Sequence, residues 1–105
     1  MKSRRLFWTE TARADLASAH RYISQDNEKA ADRLILDLEA KARALAKSGL
    51  SGRDRSELGP NIRSVVHRSR ILFFHVTKDA IVILRVLHGH QQLSSDLFPQ
   101  EQQQD

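Results

Sequence analysis

Around residue 50 the spacing of apolar side chains changes from a helical period to an extended one, and this change most narrows what the chain can fold into. Before it, Ala31, Leu34, Ile35, Leu38, Ala42 and Leu45 recur every three or four residues, with Asp32, Asp37, Glu39, Lys41 and Arg43 on other faces. That is one apolar stripe on a helix. Asp26 or Asn27 can cap its start, and Lys47-Ser48-Gly49 gives a stop. A rod of this length spans roughly 30 Å. After it, Ser51 to Asn61 is rich in turn formers and charge and reads as a loop. Ile62–His67, Arg70–Val76 and Ala80–His88 follow, rich in β-branched and aromatic residues and separated by connections short enough for hairpins. They read as a three-stranded meander whose last strand, almost continuously apolar, is the most buried.

The N-terminal part adds a short strand, Arg5–Trp8, and a first helix. Thr9 or Thr11 can cap that helix, Glu10 and Asp15 lie near its positive end, and Ala12, Leu16, Ala19 and Ile23 form its stripe. The break between the helices is short, so they form an antiparallel hairpin. The expected fold class is α+β, in the order β-α-α-β-β-β. The hairpin packs on one face of a mainly antiparallel sheet, and the other face is at least partly open. Alternation puts Ile81, Ile83, Arg85 and Leu87 on one side of the last strand and Val82, Leu84, Val86 and His88 on the other. Arg63, Val65 and His67 share a side, which allows Arg63 and Arg85 to lie on one open face. The expected domain is residues 1–98, with Leu97-Phe98 as a possible anchor and 99–105 as a polar, frayed tail.

The chain has 105 residues, enough for one domain. It has no cysteine, which excludes disulfide and thiolate chemistry and fits a reducing cytoplasm. No run approaches the ~18 apolar residues of a membrane span, and the N-terminus lacks the apolar stretch of a signal peptide. The net charge is +4, and twelve of the seventeen basic residues are Arg, the residue suited to planar recognition of carboxylate or phosphate. Seven bases lie between Arg53 and His90 against three acids, which points to an anionic partner or to a solubilising surface.

Three blocks carry a resemblance. "TARADLASAHRYI" holds Ala12, Asp15, Leu16, Tyr22 and Ile23; "GRDRSELGPNIRS" holds Gly52, Arg53, Arg55, Glu57, Leu58, Arg63 and Ser64; "ILRVLHG" closes the last strand. In this order they resemble the ParE toxins of bacterial toxin–antitoxin pairs, within the wider RelE/ParE fold. The resemblance spans roughly residues 6 to 89. It implies a small cytoplasmic toxin neutralised by a ParD-like antitoxin whose flexible C-terminal segment wraps it in a hetero-oligomer. It also implies DNA gyrase as the target, reached by protein–protein contact, with no cofactor, no membrane and no direct nucleic-acid binding by the toxin alone. The RelE branch instead cleaves messenger RNA on the ribosome with basic residues and a late tyrosine. Here the only tyrosine is Tyr22, and the family's usual continuation after His-Gly is replaced by His90-Gln91-Gln92.

The residues themselves leave several readings open. Arg53, Arg55, Arg63 and Arg85 with His67, His88 or His90 contain the groups that metal-free RNA cleavage needs: cations for the phosphorane and an acid and base near neutral pH. A basic nucleic-acid-binding module is a further class. Arg85 either pairs with a carboxylate such as Glu57, pinning the loop to the sheet, or meets a partner's carboxylates. His88 is either a capped strand end or part of a contact surface; His90 is the more exposed. Arg53, Arg55 and Glu57 form either a solvated turn or a recognition loop. Arg70 joins the contact candidates. Phe73 and Phe74 are consecutive on a strand and point to opposite faces, so one of them lies on the open face unless a partner covers it. The histidines do not make a metal site, since four spaced ligands are not evident.

Overall fold

The computed structural model describes residues 3–48, 52–89 and 93–98. The elements run β1 (Arg5–Trp8), α1 (Glu10–Ser24), α2 (Glu28–Ser48), β2 (Arg53–Asp54), β3 (Ile62–His67), β4 (Arg70–Val76) and β5 (Ala80–His88), ending in a 3-10 turn at Ser95–Leu97. The five strands form one sheet in the order β1-β5-β4-β3-β2. β1 runs parallel to β5, and every other pair is antiparallel. The three meander strands keep the expected bounds. Arg53–Asp54, expected within a loop, instead pairs with Ser64 and Arg63 as a two-residue edge strand. It is too short to leave a periodic trace in sequence.

Capping explains the helix starts. The Thr9 side chain accepts from Ala12 N at 3.0 Å, and Asn27 Oδ1 accepts from Ala30 N at 3.0 Å. The stripes of both helices are rich in alanine: Ala12, Ala19, Ala42 and Ala46 are buried beside Leu34, Leu38 and Leu45. Small residues let the helices lie close to Leu72, Phe74, Ile81, Ile83 and Val86 of the sheet.

The second face of the sheet is not open. Leu58, Ile62, Phe73, Leu84, Leu87 and Phe98 make a second buried core, with Ile71, Val82, Leu93 and Leu97 packed around it. Its cover is the turn following β2 and the strap of residues 93–98. The Phe98 ring meets the Phe73 ring edge-on at 5.1 Å, and the Arg55 guanidinium lies 5.4 Å from the Phe73 centroid. Phe73 and Phe74 are both fully buried, one in each core. Neither is available to a partner, because the chain supplies its own cover.

A register shift between Phe73 and Phe74 breaks the simple alternation in β5: Phe74 faces Ile83 and Phe73 faces Arg85, with Leu84 as the extra residue. Ile81 and Ile83 point to the helices, Leu84 and Leu87 to the strap, and Val86 back to the helices. Arg85 and Leu87 therefore do not share the side of Ile81 and Ile83, contrary to the alternation.

Candidate functional site

β1 ends opposite Ile83, so the rest of β5 has no strand on that edge. Residues at the start of α1 take the strand's place. Thr9 N donates to Ile83 O at 3.1 Å, and Thr9 Oγ1 donates to Leu84 O at 3.0 Å. One and a half turns further on, Asp15 Oδ2 accepts from Val86 N at 2.9 Å. The same carboxylate takes both sides of the Arg85 fork, Nε to Oδ2 at 2.9 Å and Nη2 to Oδ1 at 2.8 Å. The remaining Arg85 arm donates to Leu97 O at 3.1 Å, tying the strap to the helix layer. Only 14% of the Asp15 side chain and 18% of Arg85 remain exposed. Hydrogen bonding to Asp15 holds the Arg85 pKa above its ordinary value, against the opposing effect of burial.

This pair forms the floor of a groove of about 420 Å³ between α1 and the end of the sheet. Ser18 and Tyr22 of α1 line one wall, and Arg70, Leu87 and His88 the other. The Tyr22 side of the groove is apolar surface offered to solvent, the residue being 71% exposed.

A second cleft, about 410 Å³, lies toward the opposite end of β4 and is lined by Arg4, Asp54, Ser56, Arg63, Thr77 and Lys78. Arg63 Nη2 donates to Gly52 O at 2.8 Å, and Arg4 Nε to Thr77 O at 2.8 Å. Asp54 accepts from Ser56 N at 2.8 Å, and that bond above all holds its carboxyl below the usual range.

The structure divides the residues singled out from sequence. Arg70, Arg85 and His88 meet in the groove. Arg63 is in the distant cleft, opposite Phe74 and on the helix-bearing side, so Arg63 and Arg85 do not share an open face. Arg53 is exposed on β2. Glu57 does not pair with Arg85; it accepts from Arg55 Nε at 2.8 Å, two residues away in the same turn, and this bond lowers its pKa. Asp15 takes Arg85 because α1 runs along the bare edge of β5 and Glu57 does not. His90 lies outside the described residues, as do 99–105. The role of Asp15 was not visible in sequence beyond the helix-end charge and the family pattern, and nothing in the sequence marked Ser18 as a groove residue. Among the described residues no helix is long and apolar enough to cross a membrane.

The family model for the ParE toxin of the type II toxin–antitoxin system (parDE) matches residues 6–93. Among solved structures the chain is similar to the chromosomal ParDE toxin–antitoxin system from P. aeruginosa, at 25% identity and a TM-score of 0.69, covering 82% of this chain and 96% of that one. It also shares its fold with the toxin–antitoxin complex RelBE2 from Mycobacterium tuberculosis, at 22% identity and a TM-score of 0.63, covering 84% and 93%. No curated protein matches.

Proposed function

This chain belongs to the ParE toxin family of type II toxin–antitoxin systems, and on that premise we propose that it inhibits DNA gyrase by protein–protein contact and is held inactive by a cognate ParD-like antitoxin docked in the α1–β5 groove. The observation that carries the reading is how the basic residues are distributed. Cleaving RNA without a metal needs cations, acid and base within hydrogen-bond reach of one phosphate. The cations Arg4, Arg63 and Lys78 cluster in one cleft, whereas His67 stands four residues further along β3 than Arg63, about 13 Å away at 3.3 Å per residue. His88 is in the groove. The basic groups thus fall in two separate places, the Arg4–Arg63–Lys78 cleft and the groove with Arg70 and His88, where Arg85 is already paired with Asp15, and this division supports contact surfaces over one centre built from Arg63, Arg85 and His67. Gyrase places the site of action in the cytoplasm, consistent with a chain free of cysteine.

A supercoiling assay with purified gyrase tests the target. Lost supercoiling with linear DNA trapped is the expected result. Unimpaired gyrase at high concentrations of folded protein, together with messenger RNA cut on ribosomes, overturns the gyrase reading in favour of RelE-like action. Co-expression with the small protein encoded beside this one tests the antitoxin. A stable complex is expected, and a chain that purifies alone in its presence overturns that part.

A further inference from the structure

At the groove end of the sheet three basic side chains stand abreast on neighbouring strands. His67 on β3 lies opposite Arg70 on β4, and Arg70 lies opposite His88 on β5. Residues directly opposed in a ladder project to the same face, with Cβ atoms about 5 Å apart. The row is on the helix-bearing face. His67 Nε2 is 3.5 Å from Asp37 Oδ2 of α2, and Arg70 and His88 line the groove under α1.

Two nitrogens of this row, His67 Nε2 and Arg70 Nε, are buried without a hydrogen-bond partner among the described residues. The Asp37 carboxylate already faces the His67 nitrogen, so the donor without an acceptor among the described residues is Arg70 Nε, and an unbonded buried donor is unfavourable. Asp15 and Arg85 satisfy one another on the groove floor, so the uncompensated formal charge of the groove is that of Arg70. The lining also offers apolar surface, the exposed Tyr22 ring, next to that charge.

We propose that Arg70, with His88 beside it in the groove, is the acid-recognition subsite: the antitoxin's tail sets an Asp or Glu carboxylate against Arg70 next to His88, Tyr22 covers the residue beside it, and His67, facing Asp37, backs Arg70 from β3. This rests on the antitoxin reading above. A guanidinium presents parallel donors that match a carboxylate in one plane. One uncompensated cation beside the Asp15 carboxylate suits a singly charged side chain better than a doubly charged phosphate. A groove of about 420 Å³ accepts a few side chains of the partner.

The test titrates the purified chain with the small protein encoded beside it, for the parent and for Arg70→Gln, Arg70→Lys and Tyr22→Ala, each first shown to melt like the parent. Arg70→Gln should weaken binding roughly 10- to 100-fold, as for loss of a hydrogen bond to a charged group. Arg70→Lys, which keeps the charge without the fork, should fall between. Acid-to-amide changes along the partner's tail should find one position whose effect disappears in the Arg70→Gln background. Unchanged affinity of Arg70→Gln, or the absence of any coupled acid, overturns the proposal and leaves the antitoxin reading standing. If Arg70→Gln fails to fold, the same coupling is sought with Arg70→Lys, and its absence there has the same force. A parent chain that does not bind the neighbour removes the antitoxin reading and this proposal with it. Salt-steep binding of a short single-stranded RNA that Arg70→Gln abolishes, with the antitoxin unaffected, makes the row a phosphate site and overturns the proposal.

Discussion

The two faces of the sheet are covered in different ways. One carries the α1–α2 hairpin, whose stripes of Ala and Leu meet the strands along two rods. The other carries a turn and the six-residue strap, resting on Leu58, Leu97 and Phe98. Both exclude water completely from their central phenylalanine, Phe74 on one side and Phe73 on the other. Burial alone does not show how a face is held. The helix cover rests on many apolar side chains. The strap rests on fewer apolar side chains, together with the Arg85 bond to Leu97 O.

Adjacent residues on β4 give the sharpest test. Phe73→Ala and Phe74→Ala should each lower unfolding stability by about 3–5 kcal/mol, as large core truncations do. The comparison is in where the loss appears. Phe74→Ala should speed amide exchange throughout the helices and sheet. Phe73→Ala should add early local exchange in the strap, detached before global unfolding. Identical exchange patterns for the two variants would mean that the faces form one cooperative unit.

Asp15 joins the two covers, so its removal acts on both. Asp15→Ala leaves Arg85 and Val86 N without their acceptor in a mostly buried place. A loss of about 3 kcal/mol is expected, near the lower end for a broken buried pair. The double variant Asp15→Leu with Arg85→Met should lose less than Asp15→Ala alone, because no charge is then stranded. It should still free the strap, since Leu97 O loses its donor. Chemical denaturation of the three chains checks both statements, and a double variant weaker than Asp15→Ala would show that packing, not charge, dominates there.

How far this architecture could be read beforehand follows the same division. The helices were legible because Ala12–Ile23 and Ala31–Leu45 repeat at the helical period, and capping residues stand where capping requires them. The strap was legible only as an apolar pair at Leu97-Phe98, because six residues carry no period. The phase of β5 was lost for another reason. "AIVILRVLH" is apolar almost throughout, so alternation sets no reference, and the extra residue at Leu84 reverses the faces without a sign in composition. The partner of Arg85 followed from that reversal and from α1 lying along the bare edge of β5. Arg70 was legible as a cation, but its place between two histidines depends on register across three strands.

At the β2 edge the effect should be smaller. Gly52 has φ of 85°, and a Cβ there would come within 2.6 Å of Ser64 O and 3.1 Å of the Phe74 ring. Gly52→Ala therefore strains the backbone and presses on a side chain of the helix-side core. A loss of about 1–3 kcal/mol is expected, with the Arg63 bond to Gly52 O disturbed. A melting temperature equal to the parent's would show that β2 is free to shift and contributes little to that core.

The smallest effect separates the faces by pH. His75 lies opposite Ile62 and Val82, both of the strap-side cluster, and burial pushes its pKa below the ordinary 6.5 while a hydrogen bond with the Pro60 backbone opposes the shift. The folded state thus favours neutral His75, and the unfolded chain binds a proton more readily. Stability is complete above pH 6.5 and declines as the pH falls from there toward the lower folded pKa, below which no further loss comes from this group. Because His75 is on the strap side, mild acid should loosen residues 93–98 and the turn after β2 before it affects the hairpin. Between pH 7 and pH 5, above the range where carboxylates titrate, His75→Gln should flatten the dependence of stability on pH. A slope that persists in His75→Gln would assign the acid sensitivity to another histidine, and exchange that rises first in the helices would place it on the other face.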